Sequence, residues 1–248
     1  MNSPMHTEVL AATARQLVNG TDVTDLLARL VRSSATAMGA DAVGLLVRVS
    51  TGGVELLAST SHRVSELEIF QIQQDSGPCI DTIASGRPVT VVGAEAVRAR
   101  WPVVGLSIVS RGYSAVHAFP LVWRGRVLGG LNVFTGSDDA WDEQQLAVGQ
   151  TFADVATLAV VHLPELSEHD LDGRIHRALE GRVVIEQAKG ALAHVSGISP
   201  EEAYDHLTRL ADERGATLTV VAREVIRAAA RQARDGSGSG SGSGSGPA

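Results

Sequence analysis

Residues 114–135, SAVHAFPLVWRGRVLGGLNVFT, decide the fold of most of this chain. Ser114–Trp123 and Arg126–Thr135 are two apolar runs rich in β-branched and aromatic residues, separated only by Arg124-Gly125. Two such runs around a two-residue turn containing Gly read as a β-hairpin. A second hairpin precedes it, with Asp41–Ser50 and Val54–Thr60 flanking Thr51-Gly52-Gly53. Between the hairpins lie helical stretches at 62–74, 78–85 and 97–110 and a short strand, Pro88–Val92. A helix from Trp141 to His162 closes this half. Upstream, residues 6–38 hold two helical patterns. In the second, Val23, Leu26, Leu27, Leu30 and Val31 form an apolar stripe suited to covering a sheet. The expectation is an α+β domain over residues 1–163, with an antiparallel sheet in an α/β/α arrangement.

After Pro164 the strand signals vanish. Residues 164–170 read as a polar junction, and 171–235 as a small all-α unit of three helices. Leu171, Ala178, Ile185 and Leu192 recur every seven residues, which predicts a helix that begins as a coiled-coil contact and so a homodimer. The companion positions Ile175, Arg182 and Lys189 turn basic halfway along, so the second half of that helix has another task. Gly197 ends it, and Ser199-Pro200-Glu201-Glu202 supplies a cap, a Pro at the first helical position and an acid at the third. Gly215 separates the second helix from a third carrying Leu218, Val221, Ala222, Val225 and Ile226. Residues 236–248 alternate Gly and Ser before Pro-Ala and read as a flexible linker or tag.

Composition narrows the function classes. Hydrophobic residues make up 44% and charged residues 20%, which excludes global disorder. A single cysteine, Cys79, excludes an internal disulfide and a Cys-rich zinc site. No signal peptide or membrane span is expected, and the chain reads as cytoplasmic. A net charge of −7 argues against a protein that coats nucleic acid, so any such contact must be a local patch. Lys189 is the only lysine; every other basic side chain among the 21 is Arg.

No hydrolase elbow, phosphate loop, dinucleotide fingerprint or zinc-protease motif is present, so no enzyme and no required cofactor are expected. His162, His169 and His176 are spaced by seven, but Pro164 interrupts their helix and no metal site is expected. Cys79 follows Gly77-Pro78 at a helix start, where the positive end of the dipole lowers a thiol pKa. A redox or ligand role stands there beside plain packing. Trp101, Tyr113, His117 and Asn132 join Cys79 as candidates to line a pocket for an unidentified small molecule.

Further on, Arg182, Glu186 and Lys189 share one helical face. Gly190 in mid-helix costs about 1 kcal/mol relative to Ala, which points to close approach of another backbone. That backbone is either a neighbouring helix or a nucleic acid. Tyr204 and Arg209 are equipped to stack on bases and contact phosphate. Equally, Glu186–Lys189 reads as a surface ion pair and Tyr204 as a core residue.

Arg182-Val-Val-Ile-Glu-Gln-Ala-Lys-Gly190, Gly197-Ile-Ser-Pro-Glu-Glu-Ala-Tyr204, Leu207-x-x-Leu210 and Leu218-x-x-Val-Ala222 together resemble the ANTAR domain of bacterial antitermination regulators. Gly77-Pro-Cys79, Gly86-Arg-Pro-Val89, Arg100-Trp-Pro102 and Leu128-Gly-Gly-Leu-Asn132 resemble a GAF sensor domain. The resemblance implies a homodimer that binds paired hairpin loops in a leader RNA, so that RNA polymerase continues past a terminator. It carries over Arg182, Ala188, Lys189, Gly190, Ala203, Tyr204 and Arg209 as residues that contact RNA or shape its surface. It implies control by the sensor, since the family's phosphoacceptor receiver is missing. Two other readings stand beside it. One is a ligand or redox sensor whose helical unit only dimerises or docks a protein. The other is a DNA-binding regulator using the Arg223, Arg227, Arg231 and Arg234 row.

Overall fold

A computed structural model describes residues 3–18, 22–50, 52–161 and 168–237. Strands β1 (Ala42–Arg48) and β2 (Val54–Ser59) form the first hairpin. Strands β4 (Ala115–Trp123) and β5 (Arg126–Thr135) form the second, and β3 (Val89–Val92) pairs with β4. All pairs are antiparallel, in the order β2-β1-β5-β4-β3. The β4–β5 turn works because Arg124 and Gly125 both take positive φ, 47° and 79°. A two-residue turn of this hand matches the twist of the strands it joins.

Helices cover both faces. Before the sheet come α1 (Ser3–Val18) and α2 (Val23–Met38), and after it α7 (Glu143–Val161). Leu26, Leu27, Leu30 and Val31 of α2 pack with Phe119, Leu121, Leu131 and Val133 of the sheet and with Phe152 of α7. On the opposite face lie α3 (His62–Gln74), α4 (Pro78–Ser85), α5 (Ala94–Arg100) and α6 (Val104–Ser110). There Leu67, Val97, Val104 and Ile108 meet Val116, Ala118 and Phe134. The helix expected over 97–110 is thus two helices. Pro102 disfavours a helical conformation at the residue before it, and Trp101 accordingly leaves the helix at φ −129° and ψ 85°.

The chain divides into two compact units, Met1–Arg182 and Val183–Ala248. The division falls inside α8 (Glu168–Ser196). Within the first unit, Ile175 and Ala178 of α8 belong to the cluster built on α2. Thr24 Oγ1 donates to the Ala178 carbonyl at 3.2 Å, and Gly181 leaves the room that the Thr24 side chain fills. The heptad face expected to meet a second copy is therefore covered, at Ile175 and Ala178, by the chain itself. Residues 164–167 of the expected junction lie outside the described residues, as does the Gly-Ser run after Ser237.

The second unit holds the remainder of α8 with α9 (Pro200–Arg214) and α10 (Leu218–Ser237). The capping box forms as the sequence predicts. Ser199 Oγ accepts from the Glu202 N–H at 3.2 Å, and Glu202 Oε2 accepts from the Ser199 N–H at 2.8 Å. That backbone N–H holds the Glu202 carboxyl below its ordinary range. Ala203, Leu207 and Ala211 of α9 and Leu218, Val221 and Ala222 of α10 are buried.

The join between the two hairpins sets a sharp requirement at Gly129. A Cβ there would run into the backbone carbonyl of Leu46 on the neighbouring strand, which cannot move aside. Gly129→Ala is expected to lower stability by about 2 kcal/mol, read as an earlier urea midpoint. An unchanged midpoint would show that the β1–β5 join tolerates spreading.

Candidate functional site

In the first unit, β5 carries Asn132 between Gly44 of β1 and Ala118 of β4. Its side chain points toward α3, where Glu68 and Gln71 are fully buried. Asn132 Nδ2 donates to both Glu68 carboxylate oxygens, at 2.9 and 2.8 Å. Gln71 Nε2 donates to Glu68 Oε2 at 2.7 Å. Gly44 has no side chain because the Glu68 carboxylate occupies that space, and Gly77, at φ +130°, is likewise fitted to Gln71. Among the described residues, no cation pairs with Glu68. Burial therefore dominates and pushes its pKa up to about 8, against an ordinary value of 4.5, while the Asn132 hydrogen bond pulls the other way. Asn132 Oδ1 and Gln71 Oε1 are buried acceptors with no donor. A neutral Glu68 offers the one O–H that either could accept after an amide rotates.

Cys79 sits beside this cluster on α4, with its Sγ against Gly130. Its thiol pKa is raised, first by burial and then by the nearby Glu68. The helix start does not lower it as the sequence reading expected. Desolvation of the buried thiolate outweighs whatever the dipole contributes. Trp101 is buried and donates through Nε1 to Asp81 Oδ2 at 3.2 Å, where Arg100 Nη2 also binds at 3.0 Å. Half-buried Tyr113 packs on Phe134, with ring centroids 5.3 Å apart. His117 stands elsewhere. It projects from the α7 face of the sheet, stacked on Trp141 at 4.0 Å, with Nδ1 3.3 Å from Thr90 Oγ1. Burial lowers its pKa to about 4, so it is neutral. The five expected ligand residues thus do not line one pocket. Cys79 and Asn132 come together, Trp101 and Tyr113 lie in the adjoining core, and His117 faces away.

In the second unit, Ala188 and Ala203 are fully buried, Lys189 is 5% exposed and Tyr204 is 9% exposed. Lys189 Nζ lies 2.5 Å from Glu186 Oε2. This pair is not the solvated surface pair that the i,i+3 spacing allowed, because the lysine end is inside. Arg182, the last residue of the first unit, is half-buried. Arg209 is exposed and meets His206 Nδ1 through Nη2 at 3.1 Å. Gly190 is exposed, and a Cβ placed on it would meet no atom within 4 Å. No neighbouring helix among the described residues requires this glycine.

A GAF domain model matches residues 20–161, and an ANTAR domain model matches residues 173–226. The chain belongs to the GAF–ANTAR family. Among solved structures, the GAF domain of a phosphoenolpyruvate-protein phosphotransferase from Coxiella burnetii has a TM-score of 0.52 and 18% identity. It covers 65% of this chain and 96% of its own. The GAF domain of an Acinetobacter phosphoenolpyruvate-protein phosphotransferase has a TM-score of 0.49 and 16% identity, covering 73% of this chain and 97% of its own. The first likeness shows the GAF fold alone. No curated protein matches.

The GAF domain of this GAF–ANTAR protein keeps its most polar core residues where sequence reading did not look. Glu68 and Gln71 hide in a helix whose other buried positions are Val64, Ser65 and Leu67. Two signals were available: an acid on the buried face of α3, and a glycine inside the apolar run Ala42–Val47, where a bare backbone marks close approach. Among the described residues no cluster of His, Cys, Asp or Glu could hold a metal ion, and no helix is long and apolar enough to cross a membrane. His162 lies outside the described residues.

The raised pKa of Glu68 has a defined pH signature. The folded state keeps a proton that the unfolded chain releases near pH 4.5, so this group favours folding fully below that value. The contribution declines as pH rises and is gone above about 8. Glu68→Gln keeps the shape and supplies an amide in place of the acid. The stability difference, variant minus parent, is expected to grow between pH 5 and 8 with a slope approaching about 1.4 kcal/mol per pH unit. Urea titrations across that range read it, and a difference independent of pH would mean that Glu68 is ionised in the fold.

Proposed function

We propose that this GAF–ANTAR protein is a non-enzymatic regulator of transcription antitermination. Its C-terminal unit binds paired hairpin loops of a leader RNA, and its GAF domain governs that binding in response to a small molecule. It acts as a homodimer in the cytoplasm and influences RNA polymerase only through the RNA. The ANTAR match over 173–226 supports an RNA partner. The observation that carries the finer reading is Gly190: an exposed mid-helix glycine with open space where its Cβ would be. A helix gives up about 1 kcal/mol at such a site, and the missing methyl lowers the surface for a ligand outside the chain.

The burial of Lys189 and Tyr204 supports a division of roles. Exposed Arg209 and the row Arg223, Arg227 and Arg231 on α10 are available to phosphates as the fold stands. Lys189, held by Glu186, positions the Gly190 face, or reaches RNA when the unit opens. Few phosphate contacts fit a chain of net charge −7.

The test is a titration of the chain against a two-hairpin leader RNA, with duplex DNA as control and a salt series. RNA is expected to bind more tightly than DNA, with a shallow dependence on salt. Replacing Gly190 with Gln is expected to weaken RNA binding about tenfold by filling the approach, and Arg209→Ala about fivefold, with helicity unchanged in both. Equal affinity for DNA, or full RNA affinity in the Gly190 variant, would move the reading to a sensor whose helical unit serves only dimerisation or protein docking.

A further inference from the structure

The turn ends of the two hairpins frame a cleft of about 250 Å³ that none of the foregoing uses. Arg48, at the end of β1, and Arg126, at the start of β5, stand on its walls with Val49 and Ser50. Leu128 and Ile175, both buried, form its apolar floor. Arg48 and Arg126 are exposed, and no acidic side chain lines the cleft. Among the described residues Arg48 makes no ion pair, and Arg126 has a partner of its own within the chain. Two arginines beside buried Leu128 and Ile175 define a ligand by its chemistry. The head must be an anion able to accept forked N–H donors, and the tail must be a small apolar group. The volume accommodates about a dozen non-hydrogen atoms.

We propose that this cleft is a ligand site of the sensor unit for a small organic anion, a carboxylate or phosphate ester bearing a compact apolar group. It is separate from the Glu68 cluster, which packs under α3 and α4 and is filled by its own side chains. The place of Ile175 gives the site a consequence. That residue belongs to α8, while the other walls come from the sheet hairpins, so an occupant touching both holds the α8 segment 175–182 on the sensor unit. A ligand that favours the docked form in this way shifts the population toward it. The consequence, but not the binding itself, rests on the reading of this unit as a sensor.

The probe is phenyl phosphate, titrated into the full chain by calorimetry beside inorganic phosphate and phenol. Phenyl phosphate is expected to bind with a Kd of about 1 mM or tighter, and the head or tail alone at least about tenfold more weakly. Arg48→Gln combined with Arg126→Gln is expected to abolish binding while far-UV circular dichroism shows the fold intact, both side chains being exposed. Phenyl phosphate is also expected to slow amide exchange in residues 175–182. Absence of binding at low millimolar concentration would overturn the site, as would binding retained in the double variant. Equal binding of inorganic phosphate would overturn the role of the apolar floor. Unchanged exchange in 175–182 would overturn the link to α8. None of these readouts involves RNA. Gly190→Gln is expected to leave phenyl phosphate binding intact even where it abolishes RNA binding, so failure of the RNA reading registers separately.

Discussion

The pairing of β1 with β5 is the constraint on which the first unit depends. Each hairpin forms from local turn chemistry, but neither alone presents a surface wide enough for helices on two sides. The β1–β5 ladder joins them over Ala42–Val47 and Gly129–Phe134, and it does so through glycines. Gly129 lets the Leu46 carbonyl come close, while Gly44 and Gly130 open space for Glu68 and Cys79. The sheet centre is thus thin, and the helix side chains fill the thickness that is missing. α3 and α4 are positioned by the shape of the strands beneath them as much as by their own apolar faces.

That geometry explains why a carboxylic acid is tolerated in the interior. Among the described residues no cation stands beside Glu68, yet Asn132 and Gln71 donate to its oxygens, and the protonated form carries no charge to desolvate. A polar cluster of this kind fixes the register of α3 on the sheet, because no apolar neighbour offers the same hydrogen bonds. The Cys79 thiol, packed against the same cluster, keeps its proton for the same reason that Glu68 is neutral: burial penalises the charged form.

Much of the architecture was legible because it follows from local rules. The Arg124-Gly125 turn, the Ser199–Glu202 capping box and the glycines ending helices are each set by a few adjacent residues. What was not legible depended on pairings distant in sequence. His117 and Asn132 look equivalent as polar residues in apolar strands, and only the register between β4 and β5 puts them on opposite faces. The split of 97–110 was readable at Pro102 in retrospect, since a proline constrains the residue before it. The motif residues Lys189 and Tyr204 carry the ANTAR signature but lie inside. A motif records which residues a family needs, whereas their exposure depends on how the helices pack around them.

α8 belongs to both units, and this bears on how the protein can be taken apart. Ile175 and Ala178 complete a core that begins with α2, while Ile185 and Ala188 are buried further along the same helix. Severing the chain before Glu168 strips the sensor of side chains it needs. Severing it after Arg182 leaves the other fragment with a helix that starts without its own first turns. No cut spares both, so the isolated fragments are poor stand-ins for the units they represent, and their separate stabilities need not add up to that of the whole.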